Sequence, residues 1–377
     1  MRFSNKPNAL VFFIFIFALL MCSAIAESTE PYIDDTHQIL ESDIDIEVVS
    51  GDFDLDFYRY SEPANGQSLA LDARDATFTL ANSKNNYPTS TRRCDRGPLE
   101  DNRYPFRVYD SDLTWAVGGM FNGLIPQDTD WNPTYCNSAA VIFKDAACGT
   151  VDGIRVTSAW DGVRATSGSP QLTIKNNWIS NVRDDAIEND NFLPMVLEDN
   201  LLDGVFHAIS INSGGDITNQ SNETIYLFGN LIRIQEYQFK GEMHFGSLFK
   251  NEDSSPTSEI HNSVIAVHYY GGKAFETYWE RSWSKIEDCS NNLFLWLSNQ
   301  PIPESMPLPP ACFTVMTGYP AWIEWTKARQ NWIDCHPTVA RKSNEPASNP
   351  ALCSANTFGG FSRINTDACQ DYCHSDP

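Results

Sequence analysis

Residues 174–179 read Ile174-Lys175-Asn176-Asn177-Trp178-Ile179, and this hexapeptide is the first of five similar segments. In each segment, polar residues that include asparagine lie between short apolar stretches. The other four segments are residues 197–202, 227–232, 259–264 and 288–293. The last asparagines of the five are separated by 23, 30, 32 and 30 residues, and they are Asn177, Asn200, Asn230, Asn262 and Asn292. A polar position that recurs every roughly 20–50 residues between short apolar stretches indicates a solenoid.

The apolar residues of each segment alternate along the chain, and this period of two is typical of β-strands. No helical pattern between the segments could provide a βαβ crossover, so the sequence argues against a doubly wound sheet. We therefore predict an all-β fold, a right-handed parallel β-helix (solenoid) with irregular, disulfide-stapled end caps. The side chains of Asn177, Asn200 and Asn230 are expected to form one ladder, in which each amide hydrogen-bonds to its equivalent in the next coil.

The first residues have the composition of a secretory signal peptide. Arg2 and Lys6 precede an apolar run at residues 9–21, which is followed by the small-residue sequence Ala24-Ile25-Ala26. We predict cleavage before Glu27 and a protein that is secreted or periplasmic. No later stretch is apolar enough to span a bilayer, so we expect the mature protein to have no membrane contact.

The chain is strongly acidic, with 49 Asp and Glu residues against 26 Lys and Arg residues. A protein that binds nucleic acid needs a basic surface for the phosphates, so we expect no nucleic-acid partner. An acidic surface favours solubility, and we expect a monomer.

Ten cysteines are present, of which Cys22 belongs to the predicted signal peptide. In an exported protein the others are expected to form disulfides, and their odd number leaves one thiol over. Six lie in the last quarter of the chain, where we expect them to staple the C-terminal cap: Cys289, Cys312, Cys335, Cys353, Cys369 and Cys373.

These patterns divide the chain into five segments. They are a signal peptide at 1–26, an acidic leader at 27–60, an N-terminal cap at 61–104, the parallel β-helix at 105–318 and a Cys-rich C-terminal cap at 319–377. The ends of a solenoid expose unpaired strands and must be covered. We expect the proline-rich residues 301–310 and the tryptophan-rich residues that follow them to cover the last coil.

Aligning the coils on the asparagines brings three polar segments into register. Asp161-Gly162-Val163-Arg164 aligns with Asp185-Ala186-Ile187-Glu188, and that segment aligns with His207-Ala208-Ile209-Ser210, at offsets of 24 and 22 residues. Alternation in a strand predicts that the aliphatic residues point inward. Two polar columns are then expected on the surface or at the turns: Asp161–Asp185–His207 and Arg164–Glu188–Ser210.

The second of these segments is crowded with acids. Asp184, Asp185, Glu188 and Asp190 fall within seven residues, and Asp161 joins them from the coil before. Crowded carboxylates repel one another, so some must have a raised pKa, bind a cation or pair with an arginine. A carboxylic acid kept protonated beside an ionised carboxylate is what hydrolysis of a glycosidic bond requires. A solvated acidic rim is the alternative interpretation.

At these residues the sequence resembles the pectin-lyase-like right-handed parallel β-helix superfamily, and within it the polygalacturonase-type pectin glycosidases. Those enzymes carry Asn-Thr-Asp-Gly, an Asp-Asp pair, and Gly-His-Gly followed by Ile-Ser-Ile-Gly-Ser on successive coils. Residues 160–163, 183–187 and 206–213 correspond to these motifs here. The present chain has Ala159-Trp160 in place of Asn-Thr and no glycine beside His207.

The resemblance implies that Asp161, Asp184 and Asp185 are catalytic acids and bases and that His207 lies near them. Lys250 falls close to the position of a lysine in the family. Together with Arg164 and Glu188 it is expected to bind the substrate, a polysaccharide that could contain uronic acids. The leading hypothesis is therefore a secreted inverting glycoside hydrolase that needs no metal or other cofactor.

Two alternatives stay open at this point. The first is a polysaccharide lyase assisted by Ca²⁺, in which Lys250, Arg233 or His207 is the base and oxygen ligands hold the ion. Its metal ligands would be Asp184, Asp185, Glu188 and Asp190. The second is a non-catalytic β-helix that binds glycans or acts at a surface. Its sugar-stacking residues would be aromatic: Tyr269, Tyr270, Tyr278, Trp279 and Trp283.

Overall fold

The computed structural model describes residues 44–54, 56–62, 69–80, 104–125, 127–128, 130–131, 139–166, 168–213 and 221–340. The described residues from Ile46 onward form one compact unit, and of the preceding unit only residues 44 and 45 are described. The predicted signal peptide at 1–26 lies outside the described residues. Among those described, no helix is long and apolar enough to cross a membrane.

The described chain consists of 28 strands and three helices. The first ten strands are β1 (Asp45–Val48), β2 (Gly51–Asp54), β3 (Tyr58–Tyr60), β4 (Leu69–Asp72), β5 (Ala76–Thr79), β6 (Phe106–Tyr109), β7 (Thr114–Val117), β8 (Met120–Asn122), β9 (Val141–Lys144) and β10 (Thr150–Asp152). The next ten are β11 (Arg155–Thr157), β12 (Val163–Thr166), β13 (Leu172–Lys175), β14 (Trp178–Ser180), β15 (Asp185–Asp190), β16 (Met195–Glu198), β17 (Leu201–Val205), β18 (His207–Asn212), β19 (Thr224–Phe228) and β20 (Leu231–Phe239). The last are β21 (Glu242–Phe245), β22 (Phe249–Asn251), β23 (Thr257–His261), β24 (Val264–His268), β25 (Lys273–Ala274), β26 (Ile286–Ser290), β27 (Asn292–Trp296) and β28 (Phe313–Thr317), with helices α1 (Glu276–Ser284), α2 (Gly318–Cys335) and α3 (Pro337–Ala340).

The strands form three sheets, each of which takes roughly every third strand of the chain. Sheet one has the order β1-β4-β7-β10-β13-β16-β19-β23-β26. Sheet two follows β2-β5-β8-β11-β14-β17-β20-β24-β27-β28, with β21 paired to β20 and β25 paired to β21. Sheet three follows β22-β18-β15-β12-β9-β6-β3. The stacked strands are parallel, and one coil passes once through the sheets in turn. This is the arrangement expected of a parallel β-helix, whose right-handed winding stays a prediction.

Alternating burial within the strands explains why the sequence folds this way. In β12, β13 and β16 every second residue is buried and the residues between are partly exposed. Val163, Ile187, Ile209 and Phe249 are in register on four neighbouring strands and belong to the same core. The predicted aliphatic stack is therefore confirmed.

The asparagine ladder is also confirmed. The Nδ2 of Asn177 donates to Oδ1 of Asn200 (3.0 Å), and the Nδ2 of Asn200 donates to Oδ1 of Asn230 (2.9 Å). The backbone N–H groups of Asn177 and Asn200 donate to the same oxygens, so each amide also closes the turn of the coil before it.

Farther along, the ladder differs from the sequence alignment at one position. Ser263, and not Asn262, accepts from the backbone N–H of Asn230, and Asn292 accepts from that of Ser263. Asn262 instead occupies the turn with a φ of 52°. Asparagine tolerates this left-handed conformation well. An asparagine in the sequence can therefore indicate either the turn position or the ladder position next to it.

The coils begin earlier than the 105 boundary expected from sequence. Strands β2 to β5 pair in register with strands of the later coils, as in Leu69–Asp72 against Thr114–Val117. These strands lie in the stretches assigned to the acidic leader and the N-terminal cap. The polar side chains of short strands such as Gly51–Asp54 are exposed. Such strands have too few apolar residues to show the alternation that predicts a strand.

Residues 297–312 and helix α1 close the last coils. Trp279 and Trp283 of α1 are buried in the main core, and Ser282 Oγ accepts a hydrogen bond from the N–H of Phe249 in β22 (3.0 Å). Met306, from the proline-rich stretch, is buried in that core as well. This part of the predicted cover is present in the structure.

Helix α2 was not predicted, and it packs against the outer face of sheet two. Trp325 and Trp332 are buried there against apolar residues of neighbouring strands, including Trp178 and Leu231. The signal was available in the sequence, since Ala321, Trp325, Ala328 and Trp332 recur at the three- and four-residue spacing of one helix face. This period of about 3.6 residues does not appear in the alternation by which strands are recognised.

The structure contains a disulfide between Cys289 and Cys312, which joins β26 to the segment before β28. Cys335, at the end of α2, is buried as a free thiol within the described part of the chain. Cys353, Cys369 and Cys373 lie outside the described residues, so the wider stapling of the cap stays a prediction.

Removing the disulfide is expected to destabilise the protein by about 3 kcal/mol, because the bond closes a loop of 23 residues in the unfolded chain. The variant to compare is the double Cys289→Ser, Cys312→Ser chain, by denaturant unfolding under non-reducing conditions. The unchanged protein is the reference. An unfolding midpoint of the double variant equal to that of the unchanged protein would contradict the expectation.

Candidate functional site

The candidate site lies on sheet three, where the predicted columns come together. Arg164 is in register with Glu188, Glu188 with Ser210, and Ser210 with Lys250, on strands β12, β15, β18 and β22. Asp185 is in register with His207 at the start of β15 and β18. Successive coils therefore bring the sequence-predicted residues to one place.

Three of the predicted residues, Asp161, Asp184 and Asp185, form a compact cluster that we call the aspartate trio. One carboxylate oxygen from each lies within 4.8 Å of the others. All three are buried, with exposed fractions of 2%, 7% and 1%. Asp161 Oδ1 also accepts the backbone N–H of Asp185 (3.1 Å), which fixes the start of β15 to the coil before it.

Lys250 neutralises part of the charge of the trio. Its Nζ lies 2.5 Å from Asp185 Oδ2 and 3.5 Å from Asp184 Oδ1. Burial opposes the positive charge, but the attraction of Asp184, Asp185 and Glu188 outweighs burial and raises the pKa of Lys250 well above its ordinary value. The lysine is therefore a cation at any physiological pH.

Asp185 keeps one oxygen without a partner. Its Oδ2 bonds to Lys250, whereas Oδ1 is buried and has no hydrogen bond to any described residue. A buried polar atom without a partner costs about 1–3 kcal/mol, so a stable fold retains one only for a reason. This oxygen is available to a proton, a water molecule or a substrate.

Glu188 and Asp190 point to Arg164 rather than to the trio. Arg164 makes ion pairs with Asp190 and, at 3.4 Å, with Glu188, and it donates to the hydroxyl of Tyr104 (2.7 Å). The carboxylates that lie close to one another are therefore those of the trio. The four ligands expected for a lyase, namely Asp184, Asp185, Glu188 and Asp190, are divided between two cations.

Burial and mutual repulsion raise the pKa values of three acids. The pKa of Asp161 is well above its ordinary value because of burial and then the charges of Glu188, Asp184 and Asp185. Burial and the charge of Asp184 raise the pKa of Asp185 although Lys250 opposes them, and burial raises that of Glu188 although Arg164 opposes it. The site therefore binds protons more tightly than isolated carboxyls do.

The stability of the protein is expected to fall as the pH rises above the ordinary carboxyl pKa of about 4. A raised pKa means that folded Asp161 retains a proton where the unfolded chain has lost it, so folding is favoured at low pH and disfavoured as the pH passes the folded pKa. Asp161→Asn mimics the protonated form. It should stabilise the protein at pH 8 and flatten the decline that begins above about pH 4.

Denaturant unfolding at several pH values measures this effect. Asp253→Asn is the matched control, because the side chain of Asp253 is 87% exposed. A decline with pH as steep in Asp161→Asn as in the unchanged protein would argue against proton uptake by Asp161.

His207 is buried beside the trio as a neutral imidazole. Its Nδ1 accepts the backbone N–H of Ser247 (3.0 Å), so the ring proton belongs on Nε2. Burial and the charge of Lys250 lower the pKa of His207 well below its ordinary value. Gly246 permits this contact, because a Cβ there would lie 1.9 Å from the carbonyl oxygen of Phe206.

Aromatic residues surround His207, and of these the sequence singled out only Tyr278. The ring of His207 lies 5.5 Å from that of Phe275 and 5.8 Å from that of Tyr278. Phe239 stacks beside Phe206 and contacts Trp131. The loop residues Trp131 and Phe275 have no strand periodicity around them, so only the three-dimensional structure could place them here.

The aromatic residues proposed for sugar stacking have mixed positions. Trp279 is fully buried and Trp283 is 8% exposed, so neither can stack on a sugar without unfolding α1. Tyr269 packs against Trp296, whereas Tyr270 is 64% exposed. Tyr104 was also missed, although its hydroxyl lies between Arg164 and Glu188.

No protein-family model matches the chain, and no curated protein matches it at a significant level of sequence similarity.

Proposed function

We propose that the protein is a secreted glycoside hydrolase that cleaves a polysaccharide by general acid–base catalysis at the aspartate trio. The observation that carries the proposal is the unpartnered Oδ1 of Asp185, buried among carboxyls whose pKa values are raised. Strongly perturbed acids in a cluster on a rigid strand are typical of catalytic sites. The resemblance of these coils to polygalacturonase-type glycosidases supports the same reaction class.

Asp185 is the proposed general acid. Its raised pKa favours a proton, and Oδ1 is the atom free to donate it to the leaving oxygen of the glycosidic bond. Donation leaves a carboxylate, which Lys250 would stabilise through Oδ2. Asp161 positions the acid by accepting its backbone N–H.

The separation of the acids constrains the second role. The nearest oxygens of the trio lie within 4.8 Å, close to the separation of about 5–5.5 Å in retaining enzymes. An inverting enzyme needs about 6.5–9.5 Å, to leave room for water. If the enzyme inverts, the base therefore belongs outside the trio, and Glu188, whose charge already acts on Asp161, is our candidate.

Arg164 and Lys250 are the positions at which an anionic sugar would bind. Each is only about one-quarter exposed, and each is held by two carboxylates. An incoming uronate could replace one of these carboxylates if that carboxylate takes up a proton, which the raised pKa values of Asp185 and Glu188 favour. We therefore include polysaccharides with uronic acids among the proposed substrates.

A Ca²⁺-assisted lyase is the second candidate, favoured by the trio itself. Three carboxylates that converge within 4.8 Å, one with an unpartnered oxygen, suit a cation that prefers oxygen ligands. The amine of Lys250 would have to move from Asp185 Oδ2 to open that oxygen. Lys250 is a cation at this position, so it would first have to pass a proton to a carboxylate of the trio, and only the neutral amine could then abstract the proton next to the uronate carboxyl.

Incubation with a panel of neutral and uronate-containing polysaccharides tests both candidates. New reducing ends without ultraviolet absorbance support the hydrolase, and absorbance from a new double bond, abolished by a chelator, supports the lyase. If no polysaccharide is cleaved but some are bound, the protein is a glycan-binding β-helix and the hydrolase proposal fails.

A further inference from the structure

A second group of polar side chains lies on the outer face of sheet one, on the last two strands of that sheet, β23 and β26. Glu259 and His261 are two residues apart on β23, so their side chains project from the same face of that strand. Asp288 of β26 is in register with Glu259. One ligand atom from each of the three residues lies within 4.8 Å of the other two.

The ring of His261 is held by two contacts. Its Nδ1 lies 2.8 Å from the hydroxyl of Ser290, its register partner on β26, and its face stacks on Phe228 at 5.5 Å with an angle of 12° between the planes. These contacts direct Nε2 toward Glu259, whose Oε2 lies 3.9 Å away. A histidine that binds a metal commonly has its other ring nitrogen bonded in this way.

Among the described residues, no lysine or arginine forms an ion pair with Glu259 or Asp288. Glu259 has His261 as its only ion-pair partner there, and Asp288 has none. Both acids and the histidine retain access to solvent, with 33% of Glu259 and 17% of His261 exposed. A cation could thus reach the group from outside.

We propose that Glu259, His261 and Asp288 form a binding site for a divalent transition-metal ion such as Zn²⁺, which would join β23 to β26. One imidazole nitrogen and two carboxylate oxygens suit Zn²⁺, whereas Ca²⁺ prefers oxygen ligands alone. Solvent completes the coordination. Asp288 is exposed, so its side chain has room to rotate toward the ion.

The site is independent of the proposed hydrolase, since it lies on sheet one and the trio lies at sheet three. The ion would join β23 to β26 next to Cys289, the neighbour of Asp288. Cys289 forms the disulfide with Cys312. The metal is therefore expected to reinforce the last coils and to leave catalysis unchanged.

Titration calorimetry of the metal-free full chain with Zn²⁺ tests the proposal. The unchanged protein should bind one equivalent that is missing from His261→Ala and at least about 10-fold weaker in Asp288→Asn. Zn²⁺ should raise the melting temperature of the unchanged protein and of the control His268→Ala, but not that of His261→Ala. Ca²⁺ in excess should not displace it.

Thermal unfolding of each variant without metal shows whether that variant is folded. If His261→Ala does not fold, Asp288→Asn, a change at an exposed residue, carries the test. Zn²⁺ binding of equal stoichiometry and affinity in His261→Ala or Asp288→Asn would overturn the site, as would the absence of Zn²⁺ binding by the unchanged protein.

Discussion

Replacing Asp185 by asparagine is expected to lower the turnover of the cleaved polysaccharide at least about 100-fold. The amide retains the size of the side chain and a hydrogen bond to Lys250, but it cannot donate the acidic proton that we assign to Oδ1. The Michaelis constant should change far less, because proton donation matters in the transition state and not in substrate binding. Initial rates of reducing-end release measure both quantities.

Asp253→Asn makes the same chemical change at an exposed aspartate and should leave turnover unchanged. Thermal unfolding of Asp185→Asn shows whether the loss is chemical or structural. A variant that is folded and retains more than about one-tenth of the turnover would remove Asp185 from the mechanism. The glycan-binding alternative requires binding to persist in that variant.

Replacing Asn200 by alanine is expected to destabilise the protein by about 3–5 kcal/mol. Its Nδ2 donates to the carbonyl of Ile174 and to Asn230, and its Oδ1 accepts two N–H groups of Asn177. Alanine leaves those donors and acceptors buried without partners, and an unpaired buried group costs about 1–3 kcal/mol. Denaturant unfolding is the measurement.

The control for the ladder is Asn299→Ala, the same change at an exposed asparagine outside it. Its unfolding free energy should lie within about 0.5 kcal/mol of the unchanged protein. If Asn200→Ala is no less stable than Asn299→Ala, the ladder is a consequence of the fold and contributes little to its stability.

The sequence predicted the coils well because both of its signals are local and repeated. The coils from Asn177 onward carry an asparagine at the turn and alternating aliphatic residues, and both depend on the same strand geometry. Asp161, Asp185 and His207 could be placed together for this reason, since their offsets match the coil length. Asn262 shows the limit, because a left-handed turn residue and a ladder residue look alike in sequence.

Features that depend on coils of unequal length could not be derived in this way. Lys250 is 40 residues beyond its register partner Ser210, and the spacing cannot show where the extra residues leave the coil. The division of the acids was equally hidden. Glu188 and Asp190 face Arg164 while Asp185 faces Lys250, because Asp185 lies at the bend where β15 begins and the others lie farther along the strand.

Helix α2 gives this solenoid a brace that its repeats alone would lack. Stacked coils contact only their neighbours, so such a protein can fray from one end, coil by coil. The helix shares one apolar cluster with strands of sheet two, and Arg329 pairs with Asp203 at 2.6 Å. The strand residues of this cluster include Trp178, Leu201, Leu231, Val264 and Leu293. Under a pulling force we expect these coils to unfold together in one step. After a protease has cut the helix, we expect them to unfold one after another, each at a lower force.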